Sequence, residues 1–192
     1  DKAARIQGTR LGIIGNELSG KTLGIIGTGA IGMRVAELGS AFGCRLLGYS
    51  RTKNSKASAI GLNYTDLKIL LTESDVISIH APLTDETKNL IDAKEFAMMK
   101  PTVIVIQTSR GGTINEQAFA DALKSEKIAG AGIDVFVQEP PIDLNNPLLK
   151  AKNTVLTPHV AFATKEALAR RADIAFDNID KWIVGKTQNQ VG

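Results

Sequence analysis

The sequence predicts an α/β fold: a doubly wound parallel sheet in three layers, with helices on both faces. Three observations lead there. Short apolar runs alternate with segments of helical spacing along nearly the whole chain. The runs are continuously apolar rather than alternating, as strands buried on both faces are. At 192 residues and 43% hydrophobic, the chain buries a core without disulfide or metal staples.

The elements follow in order. Thr22–Gly27 (TLGIIG) is the first strand. Ile31, Val35, Leu38 and Phe42 recur at helical spacing and predict a helix that packs through them and ends at Gly43. Arg45–Tyr49 is the second strand. Thr65 is the expected N-cap of a short helix carrying Leu67, Leu70 and Leu71. Val76–Ile79 is the third strand. Asp92 and Glu95 form a capping box ahead of Phe96, and Val103–Gln107 is the fourth strand. Asn115 caps a helix bearing Phe119, Ala122 and Leu123. Ala131–Val135 and Thr154–Thr157 complete six strands. Leu168, Ala172, Ala175, Ile179 and Trp182 mark a long closing helix that stops near Gly185. Gln138–Pro147 is the one long irregular loop.

Composition excludes several classes. The longest aliphatic run, Val103–Ile106, is too short to span a bilayer. A single cysteine, Cys44, excludes a disulfide framework and a cysteine-built zinc site, and no metal site is expected. Twenty-three Lys and Arg against 20 Asp and Glu leave a net charge of +3. No basic run accompanies that charge, so no nucleic-acid partner and no membrane partner is expected.

Two glycine motifs compete for a phosphate. Gly15–Thr22 (GNELSGKT) matches the phosphate-loop pattern in full. That loop works by opening a helix at its Lys-Thr, and here a strand follows instead. We therefore read it as a polar turn and keep a phosphate-loop NTPase only as a rival. The neighbouring near-repeat of Leu11–Asn16 and Leu23–Thr28 has a twelve-residue offset, too short for a strand-helix-strand unit. The second motif is Gly27-Thr28-Gly29-Ala30-Ile31-Gly32. It lies between a strand and an amphipathic helix, the context of a Rossmann-type dinucleotide site. Gly27 allows the tight turn, Gly29 the close approach of a pyrophosphate, and Gly32 the packing of the helix. After the second strand, an acid usually meets the ribose 2′-hydroxyl of NAD. This chain has Ser50, Arg51 and Thr52 there, which predicts NADP over NAD.

Three later strand ends carry a guanidinium (Arg110), a carboxylate (Glu139) and an imidazole (His159). Open parallel sheets bind ligands at that edge. Reducing a keto acid requires a proton donor near neutrality, a carboxylate to orient it, and a cation for the substrate carboxylate.

With those residues in place the sequence resembles the D-isomer-specific 2-hydroxyacid dehydrogenase family, and specifically its cofactor-binding domain. The resemblance rests on ELSGKT leading into GIIGTGAIG, on His80-Ala81-Pro82-Leu83-Thr84 with Thr87, and on Ser109-Arg110-Gly111. It continues through Asp134-Val135-Phe136, Glu139-Pro140 and Thr157-Pro158-His159. It implies that Arg110 binds the substrate, that His159 is the general acid–base and that Glu139 is its partner. It implies that Asp134 contacts the nicotinamide carboxamide, and that Pro82, Thr87 and Thr108 line the cofactor site. Ala81 and Ser109 fall in the same segments, and His80 shapes the loop near the ribose. Ser50 stands in place of the usual acid, Gln107 where Asn is common, and Phe162 where smaller residues or Trp occur.

The expected function is NAD(P)-dependent interconversion of a small 2-keto acid and a D-2-hydroxy acid. A non-catalytic dinucleotide-sensing module is the alternative. Expected boundaries are an entry arm over 1–20, an NAD(P)-binding domain over 21–185, and a segment over 186–192 returning toward a substrate domain outside the chain. A cytoplasmic homodimer is expected, with residues 1–20 and the loop near Pro140 as its surface.

Overall fold

The computed structural model describes residues 15–139 and 141–190. Residues 1–14 of the expected 1–20 arm, most of the first near-repeat, Pro140, and residues 191–192 of the expected 186–192 segment lie outside the described residues. Seven parallel strands form one sheet: β1 (Thr22–Ile26), β2 (Arg45–Tyr49), β3 (Leu62–Tyr64), β4 (Val76–Ile79), β5 (Ile104–Gln107), β6 (Gly130–Ile133) and β7 (Thr154–Leu156). Their order is β3-β2-β1-β4-β5-β6-β7. The direction of travel reverses between β1 and β4, which opens a crevice at their C-terminal ends. The helices are α1 (Ala30–Ala41), α2 (Leu67–Glu73), α3 (Ala93–Met98), α4 (Glu116–Lys124) and α5 (Lys165–Ile183).

Alternate strand residues divide between two cores. Leu23, Ile25 and Leu46 pack with Met33 and Ala36 of α1. Ile26, Leu47, Ile77, Ile79 and Val105 pack with Leu70, Phe96 and Phe119 of α2, α3 and α4. Phe96 and Phe119 stack at 5.2 Å between ring centroids. The predicted caps on α3 and α4 are present. Asp92 and Glu95 form the reciprocal box, and the Asn115 side chain accepts from Gln117 N–H and Ala118 N–H.

Several expectations are corrected. Six strands were expected, and β3 is a seventh. It is three residues long, below what periodicity detects. The N-cap of α2 is Asp66, whose Oδ1 accepts from Ile69 N–H at 2.8 Å. Thr65 instead donates its N–H to Gly48 O, extending the sheet edge. The helix α1 does not pack through Ile31, Leu38 and Phe42, which are exposed. It packs through Gly32, Met33, Ala36 and Gly39. A Cβ on Gly39 would lie 2.6 Å from Leu23 Cδ2. The helix thus rests so close to the sheet that only small residues fit beneath it, and the larger apolar ones turn outward.

The closing helix differs as well. No residue of α5 is buried, and Leu168, Phe176, Ile179 and Trp182 are exposed. On the sheet face that α1 occupies, Ile104 and Val155 are exposed too. That face is therefore covered only over its β1–β3 half among the described residues. The stop is as predicted: α5 ends at Ile183, and Gly185 has φ +71°.

Asp75 ties the start of the sheet together. Its carboxylate accepts from Lys100 Nζ and from Thr22 N–H, each at 2.8 Å. The Lys100 ammonium, then the Thr22 amide, hold this carboxyl below its ordinary value near 3.8 despite partial burial. A depressed carboxylate stabilises the fold above its unfolded pKa, and that contribution fades as pH falls through the folded value. We expect the melting temperature to fall more steeply below pH 4 in the wild type than in Asp75→Asn. Parallel pH–melting curves for the two proteins would show the role absent.

Candidate active site

The glycine loop after β1 is shaped by close approaches on two sides. Gly27 has φ +90°, and a Cβ there would stand 2.7 Å from Ala81 N and from His80 C. Only glycine fits both the left-handed backbone and the space. A Cβ on Gly32 would lie 2.0 Å from Gly27 O, so the first turn of α1 presses directly on the loop. Gly29 is different: nothing lies within 4 Å of its Cβ position. It serves as N-cap of the twelve-residue α1 without a side-chain cap. The start of the helix thus faces open space with free amides, which suits a diphosphate.

A groove of 490 Å³ runs past this loop. Gly27, Gly29, Ser50, Arg51, Thr52, His80, Ala81, Pro82 and Thr87 all line it. A neighbouring hollow of 410 Å³ is lined by Thr28, Gly29, Ser50, Thr52, Lys53, Asn54 and Ser55, with no carboxylate among them. A third, of 360 Å³, joins Ile31 and His80–Leu83 to Thr108, Ser109 and Arg110. Ala30 opens α1 but lines none of the three.

His80 and Thr87 work inside the walls. Burial pushes the His80 imidazole below its ordinary pKa, and its Nε2 lies 2.8 Å from Ser78 Oγ. A neutral, tethered ring suits a structural role better than proton transfer. Thr87 Oγ1 donates to Pro82 O at 2.5 Å and accepts from Thr84 N–H at 2.8 Å, closing the 82–88 turn.

Arg110 sits on a loop pinned by the buried Gln107. Gln107 Nε2 donates to Arg110 O at 3.0 Å and to Thr113 Oγ1 at 2.6 Å. Its Oε1 accepts from Ser109 Oγ at 2.9 Å. Gly111 brings this loop against the next one, since a Cβ there would meet Phe136 O at 1.9 Å. The Arg110 side chain itself is exposed, with Nη1 donating to Ser109 O at 2.7 Å.

Beyond β6 and β7 stands the His159 loop. His159 Nδ1 lies 2.7 Å from Glu139 Oε2. His159 has φ +55°, a left-handed backbone that costs energy for a residue with a side chain. Asp134 holds it there. The backbone O of Asp134 accepts from His159 N–H at 2.8 Å. Its buried carboxylate accepts from Thr157 Oγ1 at 2.5 Å and from Val160 N–H and Ala161 N–H at 2.9 Å each. Burial alone would raise this carboxyl, but the three hydrogen bonds and the nearby His159 hold it below its ordinary value near 3.8. The resemblance implies a nicotinamide contact for Asp134, whereas both of its oxygens are engaged with the 157–161 loop. Phe162 meets the His159 ring edge-on at 6.1 Å, and the Arg171 guanidinium stands over Phe162 at 5.8 Å.

Three contributors were missed in the sequence. Tyr64, on the unpredicted β3, shares a 2.7 Å hydrogen bond with Thr28 Oγ1 and accepts from Asn54 N–H at 2.7 Å. It ties the glycine loop to the segment after β2. Glu116 accepts from Val137 N–H at 2.6 Å and Asn146 Nδ2 at 2.8 Å, anchoring the loop that carries Glu139. Glu86 faces Arg51 across the 490 Å³ groove. No spacing rule marks any of them, because each acts on residues distant in sequence. The rival phosphate loop fails on geometry: Lys21 runs directly into β1, and no helix starts there.

Comparison with known proteins agrees with this picture. Residues 2–161 match the family described as D-isomer specific 2-hydroxyacid dehydrogenase, NAD binding domain. A glyoxylate reductase of Aeropyrum pernix is 46% identical over 175 residues, covering 91% of this chain and 52% of that protein. The chain thus spans about half the length of the curated relatives it matches. The D-lactate dehydrogenase of Aquifex aeolicus, solved with NAD and lactic acid, superposes with a TM-score of 0.87 at 34% identity. That match covers 96% of this chain and 60% of the other. The acyclic imino acid reductase Bsp5, solved with NADPH and D-Arg, gives 0.87 at 32% identity over 100% and 61% of the two chains. Nothing in these comparisons favours the sensing module. A Rossmann-type sheet, a glycine loop open at Gly29 and a matching family model covering most of the chain agree: this chain belongs to the D-isomer-specific 2-hydroxyacid dehydrogenases, as their NAD-binding domain.

Proposed function

We propose that this chain is the cofactor-binding half of a reductase that interconverts a small 2-keto acid and its D-2-hydroxy acid, with NADPH preferred over NADH. The observation that carries the reading is the His159–Glu139 pair at 2.7 Å, on the sheet edge where Arg110 also stands. With Nδ1–H donated to Glu139, His159 Nε2 has no partner among the described residues. It delivers a proton to the substrate carbonyl oxygen in reduction and removes it in oxidation. Glu139 fixes the tautomer and stabilises the imidazolium. Arg110 holds the substrate carboxylate through paired hydrogen bonds and polarises the neighbouring carbonyl. A nicotinamide cofactor, when bound, would supply the hydride chemistry. The groove lined from Gly29 to Pro82 would hold that cofactor, and Thr108 and Ser109 line the separate 360 Å³ hollow together with Arg110.

The NADPH preference rests on the hollow from Ser50 to Ser55. It offers hydroxyls and Lys53, with Arg51 at its border and no acid on its walls. The exposed Ile104, Val155 and apolar residues of α5 support further chain above this surface. The proposal therefore includes a substrate domain beyond this chain and a homodimer. A cytoplasmic location belongs to the same proposal, in keeping with a lone free Cys44. Among the described residues no helix is long and apolar enough to cross a membrane.

The test is an absorbance assay of the intact protein with glyoxylate and hydroxypyruvate. We expect turnover of at least one, faster with NADPH than with NADH at subsaturating cofactor. Tight dinucleotide binding without turnover of any small 2-keto acid would overturn the reading.

A further inference from the structure

The 490 Å³ groove carries one ion pair between its two walls. Arg51 Nη1, just past β2, lies 3.3 Å from Glu86 Oε2 on the Thr84–Lys88 turn. Both residues line the groove. Lys53, the next cation along, stands at the adjoining hollow instead, its Nζ 5.7 Å from the Tyr64 ring centroid. Arg51 is therefore the guanidinium available to the groove itself, and Glu86 holds it.

We propose that Glu86 is a specificity-determining residue, which limits how strongly Arg51 selects a 2′-phosphorylated dinucleotide. The inference rests on the NADPH reading above and deepens it.

First, the pair is weak enough to exchange. It is a single contact between side chains 83% and 73% exposed, and such solvent-screened pairs contribute little. A phosphate offers Arg51 two parallel hydrogen bonds and a larger charge, so the guanidinium transfers to it. Second, the Glu86 backbone stays in place. Its turn is closed by Thr87 Oγ1 to Pro82 O, Thr87 N–H to Thr84 O and Lys88 N–H to Thr84 O. The carboxylate therefore remains within a side chain's reach of this wall when Arg51 leaves. Third, it then stands as an unpaired negative charge beside the phosphate that Arg51 has engaged at the border of the Ser50–Ser55 hollow. Glu86 thus opposes NADPH twice, by competing for Arg51 and by repelling the phosphate. NADH, with a 2′-hydroxyl there, meets neither effect.

Titration of the intact protein with NADPH and NADH, read by nicotinamide fluorescence, tests this in wild type, Glu86→Gln, Arg51→Gln and the double variant. We expect Glu86→Gln to raise the NADPH-over-NADH affinity ratio about fivefold, and Arg51→Gln to lower it about tenfold. In the double variant the Glu86→Gln gain should shrink to about twofold, since only the repulsion remains to be relieved. Raised salt should compress the Glu86→Gln gain, as screening does for exposed charges. If Arg51→Gln abolishes the preference but Glu86→Gln leaves the ratio unchanged, the inference fails and the NADPH reading stands. If wild type binds both cofactors equally and Arg51→Gln changes nothing, both fail. If Glu86→Gln weakens NADH, Glu86 is a ribose ligand and the inference is overturned.

Discussion

His159→Gln in the intact protein is expected to cut turnover by about 10³-fold while NADPH affinity stays within about twofold. Glutamine keeps a hydrogen-bonding group near Glu139, so the local polar contact survives in part. It has no group that gains or loses a proton near neutrality, so the transfer at the carbonyl oxygen loses its agent. Cofactor affinity is spared because His159 lines none of the three grooves beside the glycine loop. The measurement is steady-state kcat beside a fluorescence Kd for NADPH, in both proteins. A kcat within tenfold of wild type would remove His159 from the proton-transfer role. The pH profile gives a second readout: the limb assigned to His159 should vanish with the residue.

Asp134→Asn is expected to destabilise the chain by about 2–3 kcal/mol and to depress kcat together with it. The substitution is nearly isosteric, so its effect isolates hydrogen bonding. Wild-type Oδ1 accepts from Thr157 Oγ1 and Val160 N–H, and Oδ2 accepts from Ala161 N–H. An amide has one oxygen and one NH₂. In either orientation one backbone N–H, of Ala161 or of Val160, faces another donor. That leaves a desolvated donor unmatched within the loop that forces His159 to φ +55°. Urea denaturation reports the stability, and the kcat of the intact protein reports the loop. Stability within about 0.5 kcal/mol of wild type would show that the Asp134 carboxylate does not hold this loop (about a quarter of the smallest expected loss). The same carboxylate has a pH signature. Its folded pKa lies below its ordinary value near 3.8, so its stabilisation is present above that value and is lost as pH falls beneath it.

Much of the fold was legible because its signals are local. Strand runs, the Asp92–Glu95 box, the Asn115 cap and the glycine loop each depend on residues within a few positions of one another. The failures share a different cause. Ile31, Leu38 and Phe42 point outward because Gly39 and Ala36 let α1 sit close to Leu23, and that distance is set by the sheet. Strand β3 exists because its three residues pair with Leu46, Leu47 and Gly48 of β2. The α5 stripe looks like a core-facing helix by composition, yet nothing among the described residues covers it. Burial belongs to the partner surface as much as to the stripe.

The site divides the same way. Arg110, Glu139 and His159 could be singled out in the sequence because each is an unusual charge at a strand end, where open sheets bind. That strand ends share an edge is a property of any parallel sheet. What holds those side chains in place was not legible. Asp134 winds the His159 loop, Glu116 anchors the Glu139 loop, and Tyr64 joins the glycine loop to the segment after β2. Glu86, facing Arg51, belongs with them. The sequence by itself determined the α/β class, the dinucleotide motif and the residue types at three strand ends, since these follow from residue type and short spacing. Only the tertiary structure decided which polar groups meet across 20 to 40 residues of chain (a separation of 35 for Arg51 and Glu86). Such contacts arise when folding brings loop ends together, and hydrogen bonds and charges act over a few ångströms of space rather than along the chain.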